Sequence, residues 1–408
     1  MQLLKTYIIT GRDKFFLVVY SLFAAFILVP FVSDITPLNS QIVDLAVFVT
    51  CILLYPRAYG NRLMLWTFAY FMVLFLFVIS GNDITIGIGK VAPSKKLLIE
   101  LAWLLPSICV VSILRYKDNL KLYYYVAIIS VSLYIISFLS VLPIIMEYDM
   151  RVIAIQEEAG VSIHGIPSYT LMHAFAISLP AAFMSCKAFI GKQRLVMLAL
   201  AVCNIILVVN TNITTSIVAL LICIIFFLSY GGTQGFNFFR LAILSICIFV
   251  IWNLGLVEIF LNYMSGWFEG TAVQPKIESF IAVYQSGDLA ADETGSISGR
   301  ETLHAISIDS FLSNIFLGGG QVGGHSAILD RLGGMGLFCG IPFIMILISQ
   351  IVIWKKKIYD HLALMYYYLG VLVACIFLYT KGLFGEQGWF MISIFVPVVI
   401  YVCSLKKS

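Results

Sequence analysis

Residues 63–80, LMLWTFAYFMVLFLFVIS, and 122–143, LYYYVAIISVSLYIISFLSVLP, carry no charged side chain and are long enough to cross a bilayer as helices. Such runs restrict the fold severely. In lipid every backbone N–H and C=O must be paired within the protein, and for uninterrupted apolar runs of this length the solution is the α-helix. Twelve candidate runs follow one another, at about 14–33, 41–56, 63–80, 97–114, 122–143, 167–186, 195–210, 213–229, 240–258, 336–354, 361–380 and 389–404. The pattern predicts an all-α polytopic membrane protein of about 12 transmembrane helices, one integral membrane domain over 1–408. Charge is scarce to match, 11% of residues against about a quarter in a soluble domain. The first run follows Lys5, Arg12 and Lys14. It is too long for a signal h-region and lacks a small-x-small cleavage site, so it reads as an uncleaved anchor. The nine cysteines lie within or at the ends of apolar runs without any C-x-x-C, which reads as small apolar side chains rather than a disulfide framework or metal cluster.

Lysine and arginine set the orientation. With twelve spans both termini share a face, and 17 of the 25 basic residues fall on it, in short loops. The opposite face keeps Lys90, Lys95, Lys96, Arg151, Lys276, Arg300, Arg331 and Lys381. The positive-inside rule makes the first face cytoplasmic. The external face carries a loop of about 144–166 and a long loop of about 259–335, between the ninth and tenth runs. Apolar stretches in the long loop, NIFL and SAIL, predict short helices against the membrane surface.

The long loop ends in 318-GGGQVGGHSAILDRLGGMG-336, in which Gly318, Gly320 and Gly323 satisfy G-x-G-x-x-G. A dinucleotide site needs a strand before that pattern and a βαβ unit around it; here a polar loop precedes and a membrane run follows, on the external side. No G-x-x-x-x-G-K-[ST] occurs, so an ATP-driven pump has no support. Asp44 and Glu100 are the ionisable exceptions within the runs, both near a run's first turn where hydration or snorkelling is cheap. Ion-coupled transporters place such groups nearer the midplane, so their scarcity argues against transport.

The external loops instead gather Arg151, Arg300, Arg331, His164, His304 and His325. A single arginine in a loop is as readily a solvated charge as a ligand. As a ligand it offers a planar, permanently charged fork for phosphate oxygens. His325 sits among glycines a short distance before a span, where a neutral imidazole can accept a hydroxyl proton; the plainer reading is a surface histidine in a flexible loop. His173 and His361 read as packed or capping residues. No H-x-x-x-H or H-E-x-x-H spacing is present, so no metal site is expected.

The segment 298-SGRETLHAISIDSFLSNIFLGGGQVGGHSAILDRLGGMGLFCG-340 resembles the O-antigen polymerase and O-antigen ligase superfamily: an arginine in a large periplasmic loop, a glycine turn, His-Ser, then a glycine at the next span. The ligase pattern H-[NSQ]-x9-G-x-x-[GTY] is met by His325, Ser326 and Gly336, with Cys339 in the last position and Gly340 just after. Arg151 before 165-GIPSYTLMHAFAISLP-180 is similar to a second family loop, with Ser168 after Pro167. The resemblance covers these loops and their flanking spans, well under half the chain. It implies a C-type, metal-independent, inverting glycosyltransferase in a bacterial inner membrane, with cytoplasmic termini and no cofactor. Its donor and acceptor are glycans on undecaprenyl pyrophosphate; a chain-length regulator is a conceivable partner and nucleic acid is not. His325, Arg300 and Arg151 are then the expected catalytic residues, and Arg331, Lys381, Gly320, Gly324 and Ser326 the expected substrate-binding ones. A polymerase joining repeat units is the first expectation and a ligase to lipid A core the second. A lipid-linked oligosaccharide flippase would predict charged spans and two similar halves, and a structural membrane partner would need no chemistry.

Overall fold

A computed structural model describes residues 8–35, 40–81, 84–86, 89–91, 93–147, 168–211, 213–230, 256–267, 269–270, 274–286, 298–380 and 384–405. The apolar runs form helices with recognisable ends. α1 (Gly11–Leu28) starts at a capping box in which Thr10 and Asp13 satisfy each other's backbone amides. It ends before Pro30, which opens the short α2 (Pro30–Ile35), so the expected 14–33 run is two helices. α3 (Ser40–Leu54) and α4 (Arg62–Ile79) follow, the latter capped by the Asn61 side chain on the Met64 amide. After a hairpin of β1 (Ile84–Ile86) and β2 (Gly89–Val91) come α5 (Pro93–Lys117), α6 (Leu120–Glu147), α7 (Tyr169–Ala188), α8 (Lys192–Asn210) and α9 (Thr214–Ser229). The long loop holds α10 (Leu256–Trp267), α11 (Gln274–Ser286), α12 (Ser298–Ser313) and β3 (Gln321–Val322). The chain then enters α13 (Ala327–Lys355) and α14 (His361–Thr380). The last span is α15 (Gly385–Phe390), a π turn (Met391–Phe395) and α16 (Val396–Ser404).

Among the described residues eight helices are long and apolar enough to cross a membrane, and α3 and α9 are shorter apolar helices. Most of the 240–258 run lies outside the described residues. The spans are layered. In the 18-residue apolar segments of α7 and the last span, 89% of the residues are buried within the protein, whereas those of α4, α6 and α8 bury only 22–28%. Leu65, Phe68, Phe75 and Leu76 of α4 stand exposed on its outer side, an apolar face that lipid covers. The chain is a multi-pass membrane protein.

Two features add to the sequence reading. Between the third and fourth runs the chain forms strands: β1 pairs antiparallel with β2 and parallel with β3, in the order β2-β1-β3. This small sheet ties the end of α4 to the long loop. A helical segment, 327–335, precedes the tenth run: α13 is divided at Gly336 (φ 63°, ψ −161°), and the apolar run opens just after it, where 336–354 was expected.

Candidate functional site

The kink at Gly336 organises the end of the long loop. A straight helix would separate residues 331 and 343 by about 18 Å along its axis, yet the Arg331 guanidinium lies 4.1 Å from the centre of the Phe343 ring. The segment 327–335 therefore folds back beside the start of the span. The chain at 315–316 crosses the fold: the carbonyls of Ile315 and Phe316 accept hydrogen bonds from the amides of Leu337 (2.9 Å) and Phe338 (3.3 Å), which open the second half of the helix. Only glycine fits at 336, because its φ is left-handed and an added Cβ would lie 2.2 Å from the Phe316 oxygen.

The glycine stretch packs between α12 and 327–335. The buried Asp330 carboxylate accepts from the Ser307 hydroxyl (2.9 Å), the Gly324 amide (3.2 Å) and the Ser326 amide (3.3 Å). Ser307 in turn accepts from the Gly323 amide (2.9 Å). One turn on, Ser310 donates to the Gly333 carbonyl (2.9 Å) and accepts from the Gln321 amide (3.0 Å). The Gly320 carbonyl accepts from Thr85 of β1 (2.8 Å). A Cβ on Gly323 would meet the Leu303 carbonyl oxygen at 2.1 Å, so backbone touches backbone there. The stretch is a built turn, not a linker.

His325 follows that turn. It is exposed, and Ser326 behind it caps α13 by accepting from the Leu329 amide (3.2 Å). Arg300 lies in the first turn of α12. The Gly323–Leu303 contact brings these elements together: His304 is one residue from it on one strand of chain and His325 two residues from it on the other, which puts their Cα atoms within about 14 Å. The Gly320 carbonyl, the Gly324 and Ser326 amides and the Ser326 hydroxyl oxygen all accept or donate hydrogen bonds within this arrangement. Arg151, Lys381 and His164 lie outside the described residues.

Arg331 differs from the expectation of an external loop charge. It sits on the folded-back segment, 7% exposed, with Nη2 2.9 Å from Glu100 Oε1 and Nε donating to the Tyr70 hydroxyl at 3.0 Å. Tyr70 donates to the other Glu100 oxygen. Glu100 likewise is not hydrated at a helix end but 7% exposed inside this triad. The physical reason is desolvation: a guanidinium pulled inward by the kink needs a paired carboxylate, and α5 supplies it. Arg331 is thus engaged in joining α4, α5 and α13 rather than facing a ligand.

An apolar cavity of about 260 Å³ lies elsewhere, between α6, α7, α8 and the last span, and its lining, which includes Tyr134, Ser178, Asn204 and Phe395, contains no charged side chain. It offers nothing for group transfer. Among the described residues no three His, Cys, Asp or Glu side chains are placed to hold a metal ion. Compared with known proteins, the chain matches no family model and has no significant sequence match among curated proteins.

Proposed function

We propose that this chain is a polysaccharide polymerase of the O-antigen type, a metal-independent glycosyltransferase working on undecaprenyl-pyrophosphate-linked repeat units. The observation that carries the reading is the built turn at 318–326, which holds an exposed His325 beside α12, the helix that carries Arg300. The chain crosses the bacterial inner membrane about twelve times with cytoplasmic termini, and the 259–335 region is periplasmic, as the distribution of lysine and arginine supports. The pyrophosphate is a competent leaving group, so no nucleotide is needed on that side. His325 takes the proton of the acceptor hydroxyl as that oxygen attacks the anomeric carbon of the donor. The C1–O bond to phosphate breaks on the opposite face with inversion. Arg300 and Arg151 stabilise the charge that collects on the pyrophosphate.

The His325-Ser326-x9-Gly336 spacing also suits the ligase, which would move the glycan to lipid A core. The deciding experiment incubates purified protein with lipid-linked repeat units and no metal or nucleotide. Polymer from repeat units alone supports the polymerase; product that forms only when lipid A core is added supports the ligase; no product with either defeats both.

A further inference from the structure

The apolar cavity of about 260 Å³ has no part in the reading so far. On α6 its lining runs from Tyr124 to Phe138, about 21 Å along the helix axis, longer than half of a hydrocarbon core about 30 Å thick. The cavity opens sideways. Ile128 and Ser132, lining residues one turn apart on α6, are exposed, and Met197 and Leu200 on the α8 wall are half-buried. The apolar segments of α6 and α8 are among those buried least, so lipid surrounds them. A lipid chain therefore reaches the cavity directly from the bilayer.

One end of the cavity is basic. The α6 lining begins one turn after Lys121 and the α8 lining one turn after Arg194, so both cations stand just beyond the apolar wall. α6 and α8 begin at the same end of the bundle. Asp118, just before α6, pairs with Lys357. Lys187, in the last turn of α7, donates to the Tyr230 carbonyl, and the Tyr230 hydroxyl is hydrogen-bonded to His361 at 2.7 Å. Both corners thus lie at the loop between α13 and α14. Lys121 is half-buried and Arg194 exposed, and among the described residues neither forms an ion pair. A long apolar wall that ends in two uncompensated cations matches a molecule with an apolar chain and an anionic head.

We propose that this cavity binds one anionic glycerophospholipid, its acyl chain between α6 and α8 and its phosphate at Lys121 and Arg194. Location selects the occupant. A lipid-linked donor working at His325 presents its pyrophosphate at the other end of the bundle, whereas this cavity draws on the leaflet at the lysine-rich end. The Tyr124 ring stands where the apolar wall gives way to the cations, the usual level of an interfacial aromatic. The acyl chain contributes dispersion contacts between two spans that the cavity separates.

The full-length chain, purified in detergent, is titrated with phosphatidylglycerol, phosphatidylcholine or undecaprenyl phosphate, and bound lipid is counted by native mass spectrometry. One phosphatidylglycerol is expected to be held at least about tenfold more tightly than phosphatidylcholine, the preference that two basic residues give an anionic head. Lys121→Gln with Arg194→Gln is expected to erase that preference. Ile128→Trp with Ser132→Trp adds bulk at the lateral opening, at exposed positions, and is expected to lose the tightly held lipid although both cations remain. Phosphatidylglycerol held by the glutamine variant as by wild type overturns the proposal, as does equal retention of phosphatidylcholine by wild type. Unchanged binding in the tryptophan variant overturns it too, because the lipid then touches only the surface. Undecaprenyl phosphate that displaces phosphatidylglycerol, and is itself released by the same variants, overturns the choice of occupant and gives the cavity to the chain of the substrate. These readouts do not depend on polysaccharide synthesis, so they stand or fall apart from the polymerase reading.

Discussion

Arg331 and His325 lie six residues apart and meet opposite environments, one buried among Glu100, Tyr70 and Phe343, the other exposed at a turn. Different tests follow. Removing one partner of a buried ion pair leaves the other charge uncompensated and typically costs about 3–5 kcal/mol, whereas replacing both with apolar side chains is often near neutral. Glu100→Gln is therefore expected to lower the unfolding midpoint of the purified protein sharply. The double variant Glu100→Met with Arg331→Met is expected to recover most of it. Equal losses in the single and double variants would mean that the pair does more than satisfy burial. At His325 stability is expected to hold while chemistry fails. His325→Ala should accumulate unpolymerised lipid-linked units. Only the neutral imidazole can accept a proton, so wild-type activity should be lost toward acid pH, where the ring is protonated. Wild-type polymer from His325→Gln would reduce the residue to positioning the acceptor. The sequence marked both residues as external charges of interest but could separate their fates in only one case. The partner of Arg331 is 231 residues away, on another helix, and no local spacing announces it. The packing of His173 against Phe377 and of His361 against Tyr230 was easier to anticipate, since both lie within or at the start of apolar runs.

At the scale of elements, the apolar runs announced their helices, because uninterrupted hydrophobicity and local caps are short-range signals. The β1–β3 pairing and the fold-back at Gly336 were hidden for the converse reason. Strands of two and three residues have no periodicity to detect, and the helical segment 327–335, with Asp330 and Arg331, precedes the apolar run and reads as loop. The glycines of this region divide into two kinds that substitution separates. A Cβ at Gly323 would lie 2.1 Å from the Leu303 oxygen, and one at Gly336 would lie 2.2 Å from the Phe316 oxygen, both backbone atoms that cannot step aside. At Gly299, near the start of α12, nothing lies within 4 Å. Gly323→Ala and Gly336→Ala are expected to abolish polymer synthesis and to expose the 314–336 region to limited proteolysis. Gly299→Ala should resemble wild type in both measurements. Proteolytic resistance unchanged in Gly323→Ala would show that α12 and the turn are not docked as described.

Over the whole molecule, the built turn, the small sheet and His304 lie at one end of the helix bundle. The turn at 318–326 precedes the span of α13, the sheet closes the end of α4, and His304 meets the last turn of α14. Helix order puts that end opposite the loop between α13 and α14, where Lys355, Lys356 and Lys357 cluster. If the lysine-rich end is cytoplasmic, the site faces the other compartment, where ATP and nucleotide sugars are absent and only an activated lipid-linked donor can drive transfer. Orientation thus decides the chemistry, and two exposed positions test it. Glu269 follows α10 in the long loop, and Tyr359, 90% exposed, lies in the loop before α14. In spheroplasts, Glu269→Cys is expected to react with a membrane-impermeant maleimide while Tyr359→Cys reacts only after lysis. The reverse pattern would place His325 and His304 in the cytoplasm and defeat the periplasmic polymerase. Labelling of both in intact cells would mean an odd number of crossings between residues 269 and 359 is wrong, and with it the assignment of α13 as a single complete span.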